Sequence, residues 1–298
     1  MPKKLKLKPS LPGAKLTWLP KKTFELEFSI PWPEVKTAYT QVVDQLTKES
    51  KLEGFRKGKA PKALIEKSVD KGKLYEEVIN RLLPLSYAKS ISQHQLKPAV
   101  APKIQIISAK ENEAWQFKAT SCELPQVSLG NYTQTVKGVL AKEKIWTPAK
   151  GAPDKKEQKD LTETQKLNLI AKSLIDSIRL DLSDLLVESE RDRLLAKLLD
   201  QIQKLGLSID QYAISNNKTV DQIKAEYLQT ASNSLTLEII LQAIADDKGF
   251  KVTDAEIDKM IAAAGDEKIK KALNTPGERA YIASVLRKRQ VIDYLLGL

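Results

Sequence analysis

Two hydrophobic periods divide this chain of 298 residues. Up to about residue 122, alternating stretches interleave with helical ones, whereas beyond residue 160 apolar residues recur only at three- and four-residue spacing. A period of two sends successive side chains to opposite faces of a strand, and a period of 3.6 gathers them into one stripe on a helix. A chain that carries both, in separate halves, predicts an α+β domain followed by an all-α domain.

In the first half, Thr23-Phe-Glu-Leu-Glu-Phe-Ser-Ile30 sets Phe24, Leu26, Phe28 and Ile30 on one face of a half-buried strand. Pro31-Trp32-Pro33-Glu34 then opens a helix, with proline in its first turn and one stripe formed by Val35, Ala38, Tyr39, Val42, Val43 and Leu46. That helix is expected to end near Lys51. After a basic loop with two glycines, Pro61 restarts a short helix, and Leu74, Val78, Ile79, Leu82 and Leu85 mark a second long one with a kink expected at Pro84. Strands are expected over residues 103–107 and 115–122. The reading is an antiparallel sheet with long helices and a helix-loop-helix tip over residues 1–135, a Lys-, Pro- and Gly-rich linker over 136–160, and an all-α domain over 161–298.

In the second half, a long amphipathic helix runs through Leu182, Leu185, Leu186, Leu194, Leu195, Leu198, Leu199, Ile202 and Leu205 and stops at Gly206. Thr219 caps the next, which continues through Ile223, Tyr227, Leu235, Ile239 and Ile240 to Gly249. Thr253-Asp-Ala-Glu256 and Thr275-Pro-Gly-Glu278 have the spacing of reciprocal capping boxes, and the final helix is expected to reach Leu296. Only 6 aromatic residues fall after residue 140, against 11 before it, so aliphatic cores are expected there.

Charge follows the same division. Residues 1–140 hold 24 basic and 13 acidic side chains, and residues 141–298 hold 25 of each, so the whole net charge of +11 sits in the first half. A basic half joined to a neutral one points to a polyanion partner for the first, nucleic acid or an anionic surface. With one cysteine, Cys122, and one histidine, His94, no structural zinc set can be assembled, so no metal is expected. His94 sits at a predicted helix end and Cys122 on an alternating strand. A capping histidine and a core thiol are the readings that fit, and no catalytic residue is assigned. No nucleotide-binding glycine loop occurs, and no cofactor is expected. A lone cysteine fits a reducing cytoplasm, and no apolar run approaches the ~18 residues that span a bilayer, so a cytoplasmic chain without a membrane partner is expected.

One segment is left over from this bland inventory: Lys51-Leu-Glu-Gly54-Phe55-Arg56-Lys57-Gly58-Lys59-Ala-Pro61, between two helices. Its glycines allow a tight turn, and Pro61 fixes the exit into the next helix. Two placements of Phe55 are open, folded back onto the core or protruding among three cations. A protruding ring docks in an apolar pocket or stacks on a base, while Arg56, Lys57 and Lys59 meet phosphates or carboxylates.

Residues 54–61 match the GFRxGKxP signature of trigger factor, the bacterial ribosome-associated chaperone. The resemblance extends over about 20–130, through Leu96-Lys-Pro-Ala-Val-Ala-Pro102 and the strand ending Cys122-Glu-Leu-Pro-Gln-Val-Ser-Leu129. More diffusely it covers the helical half, where Asp181-Leu-Ser-Asp-Leu-Leu186 resembles a DLPxxL-like opening with serine in place of proline. It implies an α+β ribosome-binding domain followed by helical arms of SurA-like architecture. It also implies docking at the exit of the large ribosomal subunit, on a rim protein and ribosomal RNA, through Phe55, Arg56 and Lys57, with Gly54, Gly58 and Lys59 shaping and supporting the loop. The second partner it implies is an unfolded or nascent polypeptide, held without ATP, and members of the family self-associate off the ribosome, which allows a weak homodimer. Typical members insert an isomerase domain of FK506-binding type after the N-terminal domain. The interval 136–160 is too short for its several strands, so prolyl isomerase activity is not expected. A ribosome-assembly or RNA-binding factor without chaperone activity is the alternative that the charge alone would satisfy.

Overall fold

The computed structural model describes residues 14–49, 55, 61–142 and 162–298. They divide into two compact units. The first runs to Leu124 and takes in Ser183–Leu186; the second comprises Pro125–Leu182 and Val187–Leu298.

The first unit is built on a four-stranded antiparallel sheet. Its strands are β1 (Lys15–Trp18), β2 (Thr23–Ile30), β3 (Lys103–Ser108) and β4 (Trp115–Cys122), in the order β1-β2-β4-β3. The alternation in β2 is realised residue by residue: Phe24, Leu26, Phe28 and Ile30 are buried and the residues between them are not. Register sets Leu26 opposite Ala119 and Phe28 opposite Phe117, so both strands send apolar side chains to one face. The other face is polar, with Lys118 bonded to Glu25 at 3.1 Å.

Helices α1 (Trp32–Glu49), α2 (Lys62–Ser68) and α3 (Lys71–Gln93) lie between β2 and β3 in the chain. The Pro31 carbonyl accepts the first helical N–H groups of α1, from Glu34 and Val35. The predicted stripe of α1 is buried at Val35, Ala38, Val42 and Val43, with Tyr39 and Leu46 at its margin. Asp70 caps α3, accepting from the Gly72 N–H at 2.8 Å, and the helix continues through Pro84 to a C-cap at His94. Leu74 and Val78 of α3 join Trp115 and Phe117 in the same core, where Tyr75 meets the Trp115 ring edge-on at 5.5 Å.

The second unit is helical. Residues 136–142, expected as the start of a linker, are instead the end of α4 (Tyr132–Lys142). Tyr132, Val136 and Leu140 recur every four residues, and they pack on α5 (Glu163–Ser177), on the C-terminal half of α8 (Val220–Asp247) and on α11 (Pro276–Leu296). Residues 143–160 of the expected linker lie outside the described residues. A second, smaller core joins α6 (Asp184–Lys204), α7 (Ile209–Ser215) and the start of α8 through Leu198, Ile202, Ala213 and Ile223. A third joins α9 (Asp254–Ala262) to α11 through Ile257, Ile261 and Ile282, with Leu273 of α10 (Glu267–Leu273) beside it.

Gly206 and Gly249 stand at φ 73° and 67° and end α6 and α8 as expected, each followed by an N–H that reaches back to the last helical turn. The cores are mostly aliphatic, with one departure. Tyr132, Phe250 and Tyr294 form an aromatic rim on the first of them, with the Phe250 and Tyr294 rings 5.9 Å apart.

Candidate functional site

The loop that the sequence singles out joins α1 to α2. Of its predicted residues, Gly54, Arg56, Lys57, Gly58 and Lys59 lie outside the described residues, and Phe55 is described and 39% exposed. Of the two placements left open for this ring, burial in the core is therefore the one the structure does not adopt. An ion pair between Asp44 of α1 and Lys62 of α2 bridges the two helices that carry the loop. The opposite end of α1 is anchored in the sheet core through Val35 and Ala38. Lys48 in the last turn of α1 and Lys71 and Lys73 at the start of α3, the helix that follows α2, are exposed and add to the positive charge of this part of the chain.

The two residues that chemistry would have singled out are structural. His94 donates from Nε2 to the Ala14 carbonyl at 2.8 Å and ties the start of β1 to the end of α3. Cys122 is fully buried. Burial pushes its thiol up from the ordinary range, against hydrogen bonding to Ser183 and the Leu186 backbone, which keeps it a thiol at neutral pH. Among the described residues, no group of His, Cys, Asp and Glu is arranged to hold a metal. No described helix is long and apolar enough to cross a membrane.

Sequence reasoning assigned no residues of the helical unit to a site, yet that unit displays large apolar side chains beside its two smaller cores. Leu205 and Ile214, at the ends of α6 and α7, are each 74% exposed, and Leu199 and Leu207 are exposed nearby in the chain. Beside the third core, Met260, Ile269, Tyr281 and Val285 are exposed, with Tyr281 and Val285 one turn apart on α11. For Leu207, beyond the stop glycine, and Tyr281, next to the core-facing Ile282, the signal is available in sequence; Leu205, counted into the stripe of the long helix, instead falls beyond Lys204 and is exposed.

Comparison with known proteins places the whole chain. Residues 14–149 match the family model described as bacterial trigger factor protein, and residues 154–297 match that of the bacterial trigger factor C-terminus. The trigger factor of Moorella thermoacetica is 35% identical over 108 residues, which are 36% of this chain and 24% of that protein. That of Carboxydothermus hydrogenoformans is 36% identical over 115 residues, 39% of this chain and 27% of its own. The matched stretch thus spans about a quarter of the length of these curated relatives. A solved structure of the trigger factor chaperone, reported for promiscuous substrate recognition in folding and assembly activities, superimposes with a TM-score of 0.61 at 12% identity. It covers 95% of this chain and 99% of its own, and at that identity it shows a shared fold. With the N-terminal and C-terminal models matched in order along nearly its entire described length, the chain belongs to the trigger factor family.

Proposed function

We propose that the chain is an ATP-independent cytoplasmic chaperone that docks on the large ribosomal subunit at the polypeptide exit. Its contacts there are Phe55, Arg56 and Lys57, with Gly54, Gly58 and Lys59 shaping and supporting the loop, and they meet a rim protein and ribosomal RNA. The observation that carries this reading is the exposed Phe55 at a helix-loop-helix tip inside a matched trigger factor N-terminal model. The cations beside the exposed ring fit a rim that offers both acidic protein surface and phosphates, and the ring itself gains from any partner that buries it.

The helical unit then holds unfolded or nascent segments on its exposed apolar side chains. At about 25 cal/mol per Å², a contact of ~200 Å² contributes about 5 kcal/mol before entropy costs, so a few dispersed contacts bind and still release. The chain acts without prolyl isomerase activity, because only residues 150–153 separate the two matched models, and a β-rich isomerase domain needs far more chain than that.

Replacing Phe55, Arg56 and Lys57 together by alanine is expected to abolish cosedimentation with ribosomes and leave the circular-dichroism spectrum intact. Undiminished cosedimentation of that triple variant would refute the site.

A further inference from the structure

The turn between β1 and β2 is built against the preference of its residues. Lys21 and Lys22 stand in succession at φ 59° and 54°, a left-handed conformation that residues with a Cβ rarely adopt. Three backbone hydrogen bonds hold it there. The Leu19 N–H donates to the Thr23 carbonyl at 2.8 Å, the Thr23 N–H to the Pro20 carbonyl at 3.2 Å, and the Glu123 N–H to the Lys22 carbonyl at 2.9 Å. Strained backbone of this kind persists where its surroundings over-determine it, and it clusters at binding sites.

The turn displays an indole. Trp18 is 48% exposed, with Leu19 exposed beside it. The buried Phe24 ring meets Trp18 at 5.7 Å and 71°, which fixes the plane of the indole, and Lys22 Nζ lies over the ring 5.8 Å from its centroid, so the flexible lysine chain swings aside for a base to stack on that face. Lys21 is bonded to Asp184 at 2.7 Å, so Lys22 is the cation that accompanies the ring. A fixed aromatic face with an adjacent ammonium is the arrangement that takes a stacked base and its phosphate. The half of the chain that carries it also holds the entire net charge of +11, which complements a polyanion and not a neutral peptide.

We propose that the β1–β2 turn is a contact for single-stranded RNA, with Trp18 stacking on a base and Lys22 meeting the neighbouring phosphate. The assignment is independent of the docking role of residues 54–59, since the turn belongs to a different pair of elements.

The test is fluorescence anisotropy of a labelled oligouridylate of about 12 nucleotides with the full chain at low salt, alongside heparin, a polyanion that has no bases. Trp18→Ala is expected to weaken oligonucleotide binding about 10-fold and leave heparin binding unchanged, while Trp18→Phe retains most of the affinity. Lys22→Gln is expected to weaken it a few-fold and to reduce the slope of log K against log salt by about 0.7. Unchanged oligonucleotide affinity in Trp18→Ala, or equal losses for RNA and heparin, would overturn the proposal. Lost binding of a labelled Leu- and Phe-rich unfolded peptide in Trp18→Ala, with oligonucleotide affinity intact, would assign the turn to polypeptide instead.

Discussion

Tyr132 sits where the aromatic rim of the helical unit meets charged side chains. It is 5% exposed, donates to Asp247 Oδ2 at 3.3 Å, and shares the Lys248 ammonium with the Tyr294 ring. Its phenol is pushed up to about 12, first by burial and then by the neighbouring Tyr294, against the pull of Lys248. The folded state therefore keeps a proton that the unfolded chain gives up at about pH 10. The associated stability is fully present below pH 10 and is lost as pH rises toward 12. Tyr132→Phe is expected to cost about 1 kcal/mol at neutral pH through the lost hydrogen bond. It is also expected to flatten the fall of the urea midpoint between pH 10 and 12, read by chemical denaturation at stepped pH. None of this was legible in sequence, because residues 132, 247, 248 and 294 meet only through tertiary packing. The exposure of Phe55 was half legible: the glycines and cations mark a tip, but composition gives no direction to the ring. Lys21 and Lys22 were illegible for a different reason. A left-handed pair ordinarily announces itself as Asn-Gly, and here two lysines are forced into the role by their neighbours.

At the scale of elements, the helix starts follow one chemical rule. Thr162, Ser208, Thr219 and Thr253 each cap a helix with a reciprocal box, closed by Gln165, Gln211, Gln222 and Glu256 respectively. Of the two glutamate boxes that the spacing predicts, Thr253–Glu256 closes in both directions, whereas at Thr275 the structure shows one half, the hydroxyl accepting from the Glu278 N–H at 3.4 Å; Thr219 reads as a cap from sequence, and the glutamine versions at Thr162 and Ser208, whose spacing is the same, are passed over. At Thr253 the Glu256 carboxylate accepts from the Thr253 N–H at 2.7 Å and from its hydroxyl at 2.8 Å. The Thr253 backbone bond, first among its causes, holds that carboxyl below the usual range, so the contribution of the box is lost as pH falls through the lowered value. Because α9 belongs to a small separate core, the cap should act locally. Thr253→Ala is expected to cost about 1 kcal/mol and to speed amide hydrogen exchange in α9 about 5-fold, with exchange in the core around Ile240 and Ile244 unchanged. The strands show the converse limit. The alternation in β2 and β4 spans 8 residues each and declares itself, whereas β1 has 4 and offers too few alternations to be told from coil.

At the scale of the molecule, the change of hydrophobic period correctly separates an α+β part from a helical one, but it misplaces where the second begins. A Lys- and Gly-rich surface dilutes the stripe of α4, which reads as linker, although Val136 is fully buried and Tyr132 nearly so in the largest helical core. The contact division accordingly falls between Leu124 and Pro125. This has a direct consequence for dissecting the protein. A fragment of residues 161–298 keeps every later helix but uncovers the faces of Ile170, Leu174 and Ile240 with which α4 shares a core. Burying a Val and a Tyr contributes about 3–5 kcal/mol, a large part of the stability of a domain this size. A fragment of residues 125–298 is therefore expected to unfold at least about 10 °C above one of residues 161–298 in a calorimetric scan. The longer fragment should also be the one that suppresses aggregation of an unfolded client as a folded species and not as a collapsed one. Equal melting temperatures would show that α4 is dispensable to the core and would move the boundary back toward residue 160. The charge argues in the same direction as the packing: with the whole excess of +11 before residue 141, the helical unit is left nearly neutral. Salt should then weaken ribosome association of the full chain and leave the suppression of aggregation by the longer fragment little changed.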